Sequence, residues 1–249
     1  MRFDGKKTII LTILAAALTV AALFVIRRYY PATPVTVPSH EHQTAPVSTS
    51  ETSDILYPKS LNLPVPFTPQ APTANWDQLH DEACEEASAI MANAYFKGDG
   101  RANLPPEYVE NEIIKLTEWQ QKNYGHYLDT TTAETAKMIE EVYGLKTRLA
   151  YDFTAEDLKD ELAQGHLVII SEYGRDLSNP YYKQPGSVHH MLLLKGYDQT
   201  GNFITNDSGT KRGKNYVYDF HTIYNAAADW DLAAETVNQN IKIILIVWK

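Results

Sequence analysis

Residues 65–95 read VPFTPQAPTANWDQLHDEACEEASAIMANAY. Asp81 is a residue that caps helices, and Ala87, Ile90, Met91, Ala94 and Tyr95 recur at helical spacing, so a helix is predicted over 81–97. Cys84 falls at the third position of that helix. There the unpaired backbone N–H groups and the positive end of the helix dipole favour thiolate over thiol. Glu85 and Glu86 oppose this wherever their carboxylates turn toward the sulfur. Cys84 is the one cysteine of the chain. Internal disulfides and multi-cysteine metal centres are therefore excluded, and the thiol is either a small core residue or a nucleophile.

Working outward, helices are predicted over 106–123, with proline at the start, over 132–142, ended by Gly144, and over 154–163, closed by Gly165. Strands are predicted over 145–150 and 166–171. The second half changes character: an apolar strand over 188–197, a turn at Asp198–Gly201, then strands over 202–205, 216–218 and 241–248. Helices first and mostly antiparallel strands after them is the α+β pattern, with a helical part leaning on a sheet. The apolar density holds over residues 61–249, which is ample for a core.

A cysteine nucleophile needs a base, and the base needs a group that orients it. The strand at 189–198 reads HHMLLLKGYD. Successive strand residues face opposite sides, so only one of His189 and His190 points toward the helix start. The next strand runs into FITNDSGT at 203–210, where Asn206 and Asp207 are placed to orient an imidazole. An oxyanion donor is also required. Gln78, six residues before Cys84, and Gln70, fourteen before it, both qualify.

These three stretches, in this order, resemble the cysteine peptidase family 39-like domains, papain-fold relatives of the bacteriocin-processing peptidases. The resemblance runs from about Pro64 to Trp248. It implies a papain-like α+β fold and hydrolysis of peptide-type bonds without a cofactor or metal. It also implies Cys84 as nucleophile, His190 (six residues before Gly196) as base and Asp207 as orienter; His189 does not match. The Gln-Ala-Pro with the following Asn75-Trp76 resembles the subfamily's leading motif and speaks for Gln70, while the six-residue spacing speaks for Gln78. The chain departs from the bacteriocin-processing members in having Ala83-Cys84-Glu85 where they have Asp-Cys-Gly. It also has no phosphate-binding G-x-x-x-x-G-K-[ST] loop. A leader-cleaving export role is not implied.

The amino-terminal part is of another kind. Residues 8–26, TIILTILAAALTVAALFVI, carry no charge, proline or glycine. As a helix this stretch is ~28 Å long, near the ~30 Å hydrocarbon thickness of a bilayer. Arg2, Lys6 and Lys7 precede it, and Arg27, Arg28, Tyr29 and Tyr30 follow. A signal anchor over 1–28 is expected, with secretion after signal cleavage as the alternative. Residues 29–60 then read as a Pro/Ser/Thr-rich spacer, in which His40 and His42 are solvated linker residues, and the domain follows over 61–249. The charge distribution leans toward a cytoplasmic amino terminus and an extracytoplasmic domain.

Apolar residues at 44% and charged residues at 21% exclude wholesale disorder. From residue 29 onward 17 basic residues face 30 acidic ones, a balance of −13, which speaks against nucleic-acid partners. The expected partners are a peptide or protein substrate and, through 8–26, a membrane. Three rivals differ in class or substrate. A catalytically inactive cell-envelope binding module would keep the fold and lose the geometry. A peptidoglycan amidase or endopeptidase would share the Cys–His pair. A sortase-type transpeptidase is disfavoured, because Cys84 opens a helix and no arginine follows Arg212.

Overall fold

The computed structural model describes residues 58–249; the expected anchor at 8–26 and nearly all of the spacer lie outside the described residues. The described elements run β1 (Leu61–Asn62), α1 (Gln78–Asp81), α2 (Cys84–Phe96), α3 (Pro106–Tyr124), α4 (Thr132–Tyr143), β2 (Lys146–Tyr151), α5 (Ala155–Ala163), β3 (Leu167–Glu172), β4 (His190–Tyr197), β5 (Phe203–Asn206), β6 (Lys214–Tyr218), α6 (Phe220–Ala226), β7 (Asp229–Asp231), β8 (Thr236–Asn238) and β9 (Ile243–Trp248). This is an α+β domain. Its main sheet is antiparallel throughout, in the order β2-β9-β3-β4-β5-β6, with β1 added on β4. Among the described residues no helix is long and apolar enough to cross a membrane.

Local chemistry sets the boundaries. Thr131 and Thr154 each form a capping box, with Glu134 and Asp157 reaching back to the cap backbone, and so start α4 and α5. Gly125 and Gly144 end α3 and α4 in the left-handed region, at φ 82° and 68°. One boundary differs from expectation. Asp81 does not cap the Cys84 helix; it ends a separate one-turn helix, α1, capped by the Asp77 side chain on His80 N. The chain breaks at Glu82–Ala83, and Cys84 becomes the first residue of α2 rather than its third.

Helices cover both faces of the sheet, where the sequence suggested one helical side. Ile90, Met91, Ile113, Leu116, Met138 and Ile139 from α2–α4 pack with Leu167, Ile169, Met191, Leu193, Leu245 and Val247 on one face. Leu158, Leu162 and Ile223 from α5 and α6 pack with Val168, Ile170, Leu192, Leu194, Ile244 and Ile246 on the other. Burial on both sides explains the continuous apolar runs of β3, β4 and β9. Gly196 is where β1 crosses β4: a methyl group there would run into the Leu61 carbonyl. The glycine six residues after His190 is thus required by backbone approach.

Candidate active site

The start of β4 carries the site. Alternation along the strand sends His189, Met191 and Leu193 to the α2 face, and His190 with Leu192 and Leu194 to the other. The α2 face holds Cys84, which is 4% exposed. Its Sγ accepts the Met191 N–H at 3.2 Å and donates to Glu85 Oε2 at 3.0 Å. No hydrogen bond joins Sγ to His190 among the described residues; the peptide N–H that follows His190 is what holds the sulfur. The geometry also reverses the expected electrostatics. Burial pushes the Cys84 thiol well above its ordinary value, and the neighbouring Glu85 carboxylate pushes the same way. The dipole of α2 does not offset them.

On the opposite face His190 and Asp207 form a closed pair. His190 Nε2 lies 3.0 Å from Asp207 Oδ1. Asp207 is wholly buried and accepts four further bonds. These come from the Gly209 N–H at 3.1 Å, Asn179 Nδ2 at 3.0 Å, and the hydroxyls of Tyr182 and Tyr218, each at 2.6 Å. Burial alone would oppose ionisation. The bonds from His190, Tyr182 and Tyr218 and the charge of His190 outweigh it and hold the carboxyl below its ordinary value. Two glycines make room for the imidazole: a methyl on Gly209 would lie 3.0 Å from His190 Cε1, and one on Gly174 3.1 Å from His190 Cβ. With Nε2 committed to Asp207, Nδ1 is the nitrogen without a hydrogen bond among the described residues. Glu172, opposite His190 in the β3–β4 register, is fully buried with neither carboxylate oxygen hydrogen-bonded among the described residues, and burial pushes it well above its ordinary value.

The two glutamines separate. Gln70 is buried just before the Cys84 helix: its N–H donates to Ser208 O at 2.9 Å, and its side-chain amide donates to His80 O and Asp81 O, both at 2.9 Å. It therefore ties the turn after Asp207 to the end of α1, three residues before the α2 start. Gln78 is exposed at the first position of α1.

Sequence reasoning did not find Asn179, Tyr182 and Tyr218, which lie far along the chain from Asp207 and carry no motif. Nor did it find the set around His189. His189 Nδ1 lies 3.0 Å from Asp129 Oδ1, and Nε2 lies 3.0 Å from Ser171 Oγ. His189, not its neighbour, is the histidine facing the α2 start. Its two ring nitrogens are both occupied. Among the described residues no group of three or more His, Cys, Asp or Glu side chains is arranged to hold a metal ion.

Comparison with known proteins places the chain. The Peptidase_C39 like family matches residues 62–236, which include all three stretches that carry the site. A structure described as a C39-like peptidase from Bacillus anthracis is 14% identical, with a TM-score of 0.47, covering 76% of this chain and 98% of that one. Active interpain A cysteine protease from Prevotella intermedia is 12% identical, with a TM-score of 0.44, covering 76% and 95%. Among curated proteins an arginine–tRNA ligase from Borreliella burgdorferi is 23% identical over 172 residues, or 59% of this chain. The chain spans 29% of that protein's length. Structural likenesses of this size add nothing to the residue-level reading, whereas the family match covers well over half of the chain: it belongs to the Peptidase_C39 like family.

Proposed function

We propose that the chain is a papain-like cysteine peptidase that hydrolyses peptide-type bonds through Cys84, His190 and Asp207. One observation carries the reading. A buried His190–Asp207 pair leaves Nδ1 uncommitted among the described residues, and the N–H of the residue after that histidine grips the only cysteine sulfur. In the reaction Sγ–H turns from Glu85 toward His190 Nδ1. The S–H bond breaks, its proton passes to Nδ1, and the electron pair stays on sulfur for attack on the substrate carbonyl. Asp207 holds the Nε2–H and stabilises the imidazolium that forms. His190 then protonates the leaving amine, and water releases the acyl group from the thioester. The Cys84 N–H, free at the first position of α2, is one oxyanion donor. Gln70 is the second, once its amide leaves the α1 carbonyls.

The full chain, purified in mild detergent and given a peptide library, is expected to cleave. Cys84→Ser and His190→Ala should abolish cleavage. Retained cleavage in Cys84→Ser would overturn the nucleophile, and in His190→Ala the base. The inactive-module reading is favoured by the burial of Sγ; no cleavage of any library by the wild type would support it.

The membrane reading stands beside this one. Residues 8–26 anchor the chain and the 29–60 spacer carries the peptidase domain outside. Protease added to intact producing cells should remove the domain. Protection until lysis would reverse the orientation, and release of a shortened soluble chain would favour signal cleavage.

A further inference from the structure

The nucleophile has a second set of partners that the Cys84–His190–Asp207 reading leaves unused. Glu85 Oε2 accepts the thiol hydrogen at 3.0 Å, while Oε1 accepts the Thr130 N–H at 3.0 Å and lies 3.5 Å from His189 Nδ1. His189 is fixed by Asp129 and Ser171, and the Trp230 indole lies against its ring, centroids 5.4 Å apart. Glu85, His189 and Ser171 are all buried. A carboxylate in such a place is costly unless paired. The groups facing it are few. Cys84 and Glu86 come from α2, Glu82 from the break before it, Asp129 from the loop between α3 and α4, and His189 from the start of β4. Asp229 of β7 faces His189 in turn. The His189 imidazole thus stands among the carboxyl groups of Glu85, Asp129, Asp229 and Glu82, and Glu85 lies between it and the thiol.

We propose that Glu85 is a latch that holds Cys84 as the thiol on the face of the sheet away from His190, and that the charge of His189 sets how tightly it holds. The inference rests on Cys84 being the nucleophile, and Glu85 is a positioning residue, not one that touches substrate. The latch is the Sγ–H···Oε2 bond. It keeps the proton on sulfur, because a thiolate there would face the carboxylate directly. Activation breaks this bond and turns Sγ–H toward His190. When His189 carries its second proton, the cation beside Oε1 offsets the charge of Glu85 and the latch loosens. When His189 is neutral, that charge acts on the thiol alone. Burial opposes the charged form of His189, yet Asp129 and Glu85 outweigh it and raise its affinity for the proton. The loosened state therefore extends upward in pH beyond an ordinary histidine's range.

Because Cys84 is the only cysteine, alkylation of the full chain by iodoacetamide reads this thiol alone and needs no substrate. The pH profile of the alkylation rate gives the thiol's midpoint. For the wild type it should lie above the ordinary thiol value of about 8.5; a midpoint at or below that overturns the latch. Glu85→Gln keeps an acceptor for Thr130 and puts a neutral donor at the sulfur. Its midpoint should fall by at least about one pH unit, making alkylation at pH 7 about tenfold faster. An unchanged or raised midpoint overturns the proposal. His189→Gln should slow alkylation at about pH 6, where the wild-type His189 carries its second proton, and a rate there that stays or rises overturns the role of His189. If Glu85→Gln does not fold, the wild-type and His189→Gln profiles still decide. A failed catalytic assignment shows separately, as cleavage that survives His190→Ala or is absent in the wild type. The alkylation profiles stand either way.

Discussion

Replacing Asp207 with asparagine should damage the fold as well as any chemistry. Asp207 is wholly buried and accepts five hydrogen bonds, two on Oδ1 from His190 and Gly209 and three on Oδ2 from Asn179, Tyr182 and Tyr218. Asparagine keeps one oxygen. If it takes the place of Oδ2, the new NH2 faces the Gly209 N–H, and His190 can adapt only by changing tautomer. If it takes the place of Oδ1, the new NH2 faces Asn179 Nδ2. Either way at least one fixed donor is stranded, at ~1–3 kcal/mol. The surviving two or three bonds lose charge assistance, about 1 kcal/mol each. The sum is ~3–6 kcal/mol. At about 2–4 °C per kcal/mol for a domain of this size, Tm should fall by about 6–24 °C. Thermal unfolding of the full chain followed by circular dichroism measures it at pH 7. The pH dependence supplies a second check. The folded pKa of Asp207 lies below its ordinary 3.8, so its contribution is present above that value and lost as pH falls through the folded one. The gap between wild type and variant should therefore narrow as the pH falls below 3.8. A Tm within about 2 °C of wild type at pH 7 would refute the reasoning. So would a gap that widens in acid.

Three further outcomes follow from single contacts. Gly213→Ala should cost about 1–3 kcal/mol in urea unfolding, because the added methyl meets the Asp207 carbonyl; an unchanged midpoint would contradict the close approach. Glu172→Gln should gain stability over wild type as pH rises from 5 to 8. Unfolded Glu172 loses its proton near the ordinary 4.5 while the buried one keeps it, so ionisation of the unfolded chain drains wild-type stability. A pH-independent difference would count against an uncharged Glu172. Gln70→Ala should lower kcat by about 10²–10³, as loss of an oxyanion donor does, while Gln78→Ala leaves it unchanged. Equal effects would remove the distinction that their burial draws.

The elements that sequence places best are those whose signal is local. The starts and stops of α3, α4 and α5 rest on proline, threonine caps and glycines, and the strands β3, β4 and β9 on apolar runs; all are found within two residues. What is missed depends on other parts of the chain. The break at Glu82–Ala83 is one example: Asp81, a good cap by itself, is taken into α1 because Asp77 caps His80 first and Gln70 then binds the α1 carbonyls. The short α6 and the β7–β8 hairpin, which brings Trp230 over His189, lack a periodic pattern long enough to read.

The candidate site can be read from the sequence as a set of residue types, and its geometry only in part. The strand rule states that one of His189 and His190 faces the helix, but the strand's phase decides which, and that phase is set by Met191 and Leu193 packing against α2 and α4. Once they face the helices, His189 must share the Cys84 side and His190 must share Asp207's. A consequence follows for the chemistry. The histidine on the sulfur's own side has both nitrogens taken and a carboxylate between it and the thiol. The histidine with a nitrogen to spare lies across the strand. On the proposed mechanism Cys84 is therefore placed between two competing sets of groups, one that keeps its proton and one that removes it, and a rotation about the Cys84 side chain is what distinguishes them. On that proposal Glu85, directly after Cys84 in the sequence, is as much a determinant of the candidate site as the histidine and aspartate over a hundred residues away.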